Sequence, residues 1–334
     1  MPSRLAVIFT ALSLLAAGCS GTGPDHGWSV SAALEELPAS VARGGNFIAA
    51  ADVDGALKAA GLTPSDDITQ VTQWVGPLSR GIPVVEGAAA PFVPFPDEVT
   101  GVPAGLFEAT AGFHIGEVSS FASVAAPPLS LAVFEGIDGY ALPDRLLPHK
   151  DGIVTDVEGE DGEANSEASG ALSQLGRPTR FATKDGAVAL ASYTSLLEEW
   201  SGDGGTLADD PAFSEVAGAL DKVDALSAVL TLSAGNQGRG ESPATPFDAV
   251  GLGWSARAMH VVYRFAEAPD ADALERLWRD TTLLSDKPMS DYLAVTAVLV
   301  DDNLATVTLE PVGQTPTGLL VSLLMSGEPI FLSR

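Results

Sequence analysis

The fold prediction rests on two stretches of sequence: "LSLAVFEGIDGYALPDRLL", residues 129–147, and "MHVVYRFAEAPDADALERLW", residues 259–278. Each begins with an apolar run typical of a β-strand, continues through a turn and ends in a helical pattern. The two stretches share the phenylalanines Phe134 and Phe265 and the similar segments "ALPDRL" and "ALERL". The same order of elements, found twice in one chain, predicts an internal duplication.

A β-hairpin is predicted after each of these stretches. The first, "RFATKDGAVALAS", turns at Asp185 and Gly186, and the second, "VTAVLVDDNLATVTL", turns around Asp301 to Asn303. These turn residues favour the positive φ angles of tight hairpins. In both hairpins every second residue is apolar, so each predicted sheet buries one face.

An apolar helix is predicted after each hairpin, around residues 195–200 and 318–325. Such helices are the nearest apolar covers for the buried faces of the hairpins. We therefore predict an α+β fold of two related modules, residues 28–224 and 225–334, each a mainly antiparallel sheet with helices packed on one face.

Residues 81–105 form a predicted long loop, because their five prolines fit neither a central strand nor a helix interior. The loop is also apolar, with Phe92, Val93 and Phe95. Two interpretations are open: these side chains pin the loop onto the body, or they form an exposed binding loop. Pinning is favoured, because contiguous exposed apolar patches are uncommon on monomers.

The N-terminus has the three parts of an export signal: a positive residue, Arg4, an apolar run of eleven residues, and small residues before a cut point. A run of this length is too short to span a bilayer. It ends in the five residues Leu15, Ala16, Ala17, Gly18 and Cys19. This segment resembles the lipobox of bacterial lipoproteins at every position. The open alternative is an ordinary secretory signal with a free cysteine.

The resemblance implies that diacylglycerol is attached to Cys19, that processing enzymes remove residues 1–18, and that palmitate is incorporated. Residues 19–27, small and polar, would then be a flexible tether from the outer face of the cell membrane. The body is also similar to secreted actinobacterial lipoproteins of unknown function. A haloarchaeal source is the alternative, because acidic lipoproteins occur there too.

The composition excludes several classes of partner and chemistry. The chain has 44 acidic and 17 basic residues and a net charge of −27, so nucleic acids and anionic headgroups are not expected partners. With the single cysteine lipidated, no thiol remains for a disulfide, a zinc site or catalysis. The membrane, reached through the lipid on Cys19, and an unidentified envelope protein are the predicted partners.

No catalytic signature is recognisable, and no cofactor is predicted. The four histidines, His26, His114, His149 and His260, are scattered.

The sequence "DVEGEDGEANSE", residues 156–167, partly fits a calcium loop, with candidate ligands Asp156, Glu158, Glu160 and Glu167. Asp161 replaces the glycine that bends such a loop. An acidic, solvated loop is therefore the favoured interpretation.

These observations favour a non-catalytic envelope lipoprotein that serves as a binding or scaffold module. Two alternatives are open. A membrane-tethered hydrolase would bring paired carboxylates together in a deep pocket. A solute-binding lipoprotein of an importer would have two parallel-sheet lobes around a cleft.

Overall fold

A computed structural model of the chain describes residues 27–42, 46–65, 70–83, 91–137, 139–165, 172–173, 175–233 and 242–333. In this part of the chain, twelve strands form one antiparallel sheet. They are β1 Phe47–Asp52, β2 Ser120–Ala126, β3 Leu129–Glu135, β4 Leu147–Lys150, β5 Ile153–Thr155, β6 Arg180–Lys184, β7 Ala187–Ala191, β8 Ser227–Leu232, β9 Phe247–Trp254, β10 Met259–Phe265, β11 Leu293–Asp301 and β12 Leu304–Pro311.

The helices that cover this sheet are mostly short. They are α1 Val30–Glu35, α2 Val53–Ala60, α3 Val71–Leu78, α4 Asp97–Thr100, α5 Ala104–Ala111, α6 Thr194–Ser201, α7 Pro211–Asp221, α8 Ala271–Asp280 and α9 Leu319–Met325. Capping residues set several of their ends. The carboxylate of Asp52 accepts the Gly55 N–H at 2.8 Å at the start of α2, and Gly61 ends that helix with φ 65°. The predicted apolar helices after the two hairpins are confirmed as α6 and α9.

The strand order repeats across the sheet. Hydrogen-bonded neighbours run β1-β2-β3-β7-β6 in one half and β8-β9-β10-β12-β11 in the other, with β5 and β4 added beyond β6. The halves meet where β1 pairs with β8, and Ala49 lies opposite Val229 at that junction. The strands therefore form one continuous sheet, and the expectation of a separate sheet in each segment is wrong. The predicted hairpins are confirmed as β6–β7 and β11–β12.

The strand register shows which residues correspond in the two halves. Phe134 lies opposite Val188, and Tyr263 lies opposite Ala305, each pair at the same distance from its hairpin turn. The counterpart of Phe134 is therefore Tyr263, and the expected match with Phe265 is two residues out of register. The sequence match failed because it relied on similar segments that follow the two strands, and these segments have different structures.

The segment after β3 does not form the predicted helix. Residues 141–146 are irregular and lead directly into β4. Pro143 and Pro148 stand five positions apart, and the residue before a proline disfavours helical backbone, so too few positions remain for a helix. The matching segment of the second half does form a helix, α8.

Helices cover both faces of the sheet, so the prediction of helices on one face is wrong. Strand β7 shows the reason, because all five of its residues are buried. Ala189 packs in a core with α1, α6 and α7, whereas Val188 packs on the opposite face with α2, α3 and α5. A strand that is apolar at every position needs cover on both sides. Helices α8 and α9 share the second face, since Ala49 packs against both cores on that side.

Within the described residues, no helix has the length and apolar character needed to cross a bilayer. Leu15, Ala16, Ala17, Gly18 and Cys19 lie outside the described residues, so their assignment as a lipobox stays a prediction.

Candidate functional site

A proline-rich segment, 91–98, runs across the second face of the sheet. Phe92 packs on Trp254 with ring centroids 4.9 Å apart, and Phe95 packs on Phe121 at 5.8 Å. Val93 is fully buried between them. The prediction that these side chains pin the loop onto the body is confirmed. The loop is not structureless, because it contains α4 and ends in the first turn of α5.

The segment begins at a cleft of about 630 Å³, which we name the apolar cleft. Its walls are residues 81–83, Pro91, the β9–β10 turn and 311–317. Two hydrogen bonds fix these walls. The Thr317 N–H donates to the Gly81 carbonyl at 3.1 Å, and the Trp254 indole N–H donates to the Thr317 carbonyl at 3.0 Å.

Among the described residues that line the apolar cleft there is no carboxylate, and the exposed Arg257 is the one charged group of that set. Ser255, Gln314 and Thr315 supply neutral polar groups. Four other clefts of the described structure each present at least two carboxylates. An enclosed, mainly apolar cavity of a few hundred Å³ with a few polar groups is the usual form of a small-molecule site.

A serine and a histidine meet beside this cleft. Ser255 Oγ lies 3.2 Å from His260 Nε2, and Thr308 Oγ1 lies 3.3 Å from His260 Nδ1. Burial lowers the pKa of His260 to about 4, so the ring is neutral at pH 7. Ser255 Oγ also accepts the Ala258 N–H at 3.2 Å and donates to the Ala258 carbonyl at 3.2 Å. With hydroxyls on both ring nitrogens, the group holds the β9–β10 turn in shape.

A second cleft, of about 390 Å³, lies where segment 91–98 ends, and we name it the polar cleft. It is built at the β2–β3 turn, the counterpart of the β9–β10 turn. Ser130 lines the polar cleft four residues before Phe134, and Met259 lines the apolar cleft four residues before Tyr263. The two clefts therefore occupy corresponding places in the strand order. Since β1 and β8 are antiparallel, they open at opposite ends of the sheet.

The wall of the polar cleft is held by Ser192, which follows β7. Its hydroxyl accepts the Ser130 N–H at 2.8 Å and donates to the Pro128 carbonyl at 3.1 Å. This clamp fixes the position of the Ser130 side chain in the cleft. The residue that corresponds to Ser192 in the second half is Leu309, so the clamp is particular to the polar cleft.

Three ionisable residues line the polar cleft, Asp97, Glu98 and Arg177, and none of the described ion pairs joins them. Burial raises the pKa of Glu98, against hydrogen bonds from its own backbone N–H and from the Ser130 hydroxyl, and the nearby Asp97 raises it further. Arg177 also lines the cleft, and its Nε–H is buried without a hydrogen-bond partner. A buried guanidinium donor without an acceptor is costly, so this arrangement is unusual for a purely structural arginine.

The suggested calcium loop is organised by an arginine. Asp156 is already occupied by backbone donors, since it accepts the N–H groups of Val157, Leu172 and Thr179, each at 2.8 Å. Glu158 and Glu160 are exposed, and Glu167 lies outside the described residues. Across the described ranges, no three His, Cys, Asp or Glu side chains come close enough together to hold a metal ion.

Arg180 is the centre of this loop and is fully buried. Its guanidinium donates to Asp161 Oδ1 at 2.9 Å, to the Thr155 hydroxyl at 2.9 Å and to the Gly159 carbonyl at 2.7 Å. Burial alone would raise the pKa of Asp161, but hydrogen bonds from Thr194 and Arg180 outweigh it and lower that pKa. Asp161 therefore serves as the counterion of a buried arginine.

Sequence reasoning missed Glu98, Arg177 and Arg180. An available signal for Arg180 was its position at the start of a strand, directly before the apolar Phe181 and Ala182, where a buried charge requires a partner. Comparisons of the chain with protein-family models, with curated proteins and with solved structures find no match.

Proposed function

We propose that this protein is a lipid-anchored lipoprotein of the cell envelope, non-catalytic, which binds an apolar ligand in the apolar cleft. The observation that carries the proposal is a cleft of about 630 Å³ whose described lining residues include no carboxylate, in a chain that has 44 acidic residues. Desolvating an apolar ligand beside carboxylates would also desolvate those charges, which is unfavourable. The described walls of the apolar cleft, which hold no carboxylate, avoid that cost.

The proposal includes the duplication: two related modules, joined through β1 and β8. The strand order shared by the two halves supports the duplication. The helices differ between the halves, but they lie outside the sheet on which the duplication is argued. The single antiparallel sheet also differs from the two parallel-sheet lobes expected of an importer's solute-binding protein.

Ligand binding is tested with N-phenyl-1-naphthylamine, an uncharged dye whose fluorescence rises when it leaves water. Titration of the wild-type protein should give a saturable rise. Ala258→Trp, which fills the cleft at its turn wall, should weaken the affinity at least tenfold. The matched control is Ala297→Trp on β11, an exposed position outside the cleft, and it should bind as the wild type does. Equal affinities in the two variants, or no saturable binding at all, would refute the proposal.

The anchor is tested through Cys19. Radiolabelled palmitate should enter the wild-type protein in a lipoprotein-processing bacterial host, and Cys19→Ser should remove the label and leave the protein uncut or released. If the wild-type protein takes up no palmitate and still fractionates with membranes, the lipobox assignment is wrong.

A further inference from the structure

We propose that the polar cleft is a second, separate binding site, which takes a small ligand through a carboxylate or phosphate group held by Arg177. The inference goes beyond the proposed function, since it concerns the other end of the sheet and a different class of ligand. It rests on the cavity, on the unpaired guanidinium and on the neutral polar groups around it.

Arg177 has no counterion among the described residues. Its side chain makes no ion pair with any described carboxylate, although Asp97 and Glu98 line the same cleft. Other buried or half-buried arginines of the described chain are well paired: Arg180 with Asp161, and Arg264 with Glu215 and Asp248. In a chain of net charge −27, an unpaired arginine in a cavity is a positive site for an incoming anion.

An anion held by Arg177 would lie beside Glu98 and serine side chains of the polar cleft. Burial raises the pKa of Glu98, so this carboxyl is less readily ionised, and opposes an incoming anion less, than an exposed carboxyl would. Ser173 also lines the cavity, as does Ser130, whose hydroxyl is hydrogen-bonded to Glu98. Asp97 is exposed at the rim, where water screens its charge.

The polar cleft is small, and hydrogen bonds hold one of its walls. The Ser192 clamp holds the backbone of the β2–β3 turn, so Ser130 is positioned before a ligand arrives. A cavity of about 390 Å³ accepts a molecule of a few heavy atoms up to a small metabolite. Carboxylate and phosphate oxygens are the acceptors that match the planar donor geometry of an arginine.

The test uses acetate and inorganic phosphate as probes, each titrated at constant ionic strength against sodium chloride, with the melting temperature as readout. A specific site should give a saturable rise of about 2 to 4 °C at ten times the dissociation constant. The stronger of the two probes identifies the preferred group. If acetate and phosphate act only through general screening of charge, the melting temperature will not reach a plateau. That result would overturn the proposal.

Arg177→Gln should weaken binding of the stronger probe at least tenfold, whereas Arg276→Gln, an equal charge change on the exposed face of α8, should leave it unchanged. If both variants weaken binding equally, or neither does, the site is not at Arg177. If Arg177→Gln fails to fold, Arg177→Lys takes its place, because it keeps the charge and removes the buried Nε donor. We expect Arg177→Lys to weaken binding by about threefold to tenfold. Unaltered dye binding in these variants separates this test from that of the apolar cleft.

Discussion

Strands β6 and β11 occupy the same place in the two halves of the sheet, yet their surroundings are opposite. Arg180 on β6 lies opposite Ala191, and its counterpart on β11 is Ala297, opposite Thr308. Arg180 is fully buried beneath β5 and the acidic loop, whereas Ala297 is exposed on the last strand of the sheet. The comparison shows that one strand order accepts either a covered or an open flank. In each half, the connection that precedes the last hairpin, β6–β7 or β11–β12, decides whether the flank is covered or open.

The two outer strands differ in the same way. β4 is four residues long and carries Pro148 and Lys150, features that prevent pairing with another chain. β11 is nine residues long, has no charge between Leu293 and Val300, and exposes 64% of Leu299. Only one flank of the sheet is therefore protected against edge-to-edge association.

Replacing Arg180 should give the largest effect, because the change removes a buried partner. Arg180→Met removes the guanidinium hydrogen bonds to Asp161 and Thr155 and leaves Asp161 without its counterion, and we expect the free energy of unfolding to fall by roughly 4 kcal/mol. Ala297→Met, the same final residue at the corresponding exposed position, should change it by less than about 0.5 kcal/mol. Urea unfolding of both variants measures the difference. Equal losses would show that the two flanks are not distinct.

We expect His260 to make the free energy of unfolding depend on pH, which its counterpart in the first half, Leu131, cannot do. The pKa of His260 is about 4 in the folded chain against 6.5 for an exposed histidine, so its neutral form stabilises the fold fully above pH 6.5. That contribution, roughly 3 kcal/mol, is lost as pH falls from 6.5 towards 4. His260→Leu should therefore be less pH-sensitive than the wild type in urea unfolding at pH 7 and pH 4. Parallel pH profiles would contradict the burial of a neutral ring.

The Ser192 clamp should contribute a smaller amount. Ser192→Ala leaves the Ser130 N–H without its acceptor, and we expect a loss of about 1 kcal/mol. Ser214→Ala on α7 is the control, because alanine is the better helix former and should be neutral or slightly stabilising. A neutral Ser192→Ala variant would mean that the β2–β3 turn is held in another way.

The smallest effect on stability is expected at the open edge. Leu299→Lys should change the free energy of unfolding by less than about 0.5 kcal/mol, since the side chain is exposed. It should, however, reduce self-association in high salt, where the negative net charge no longer keeps the molecules apart. Light scattering measures this, with Leu175→Lys as an equal charge change on an exposed loop. Equal behaviour of the two variants would exclude β11 as the associating edge.

The sequence predicted the parts of this fold that depend on local patterns. The hairpin at Asp185 and Gly186 follows from turn chemistry, and the burial of Phe92 and Phe95 follows from their apolar character. The pairing of β1 with β8 could not be predicted, because contacts between distant strands leave no local pattern. Helices on both faces were missed because alternation was assumed for strands such as β7 that are apolar throughout.

The candidate sites were less accessible to sequence reasoning. Glu98 and Arg177 are 79 positions apart in the chain and meet only because the strands between them bring their loops together. The acidic run at 156–167 looked like a metal loop because the position of its true partner, Arg180, is fixed by the fold and not by spacing.

We propose that two clefts of opposite chemistry lie at corresponding places in the strand order, at opposite ends of one sheet. The most direct measurement titrates N-phenyl-1-naphthylamine and the stronger anion probe separately into the wild type, Ala258→Trp and Arg177→Gln. We predict a crossed result: Ala258→Trp loses at least tenfold in dye affinity and keeps the anion-dependent rise in melting temperature, and Arg177→Gln does the reverse. A variant that loses both ligands, or two variants that lose neither, would contradict the claim.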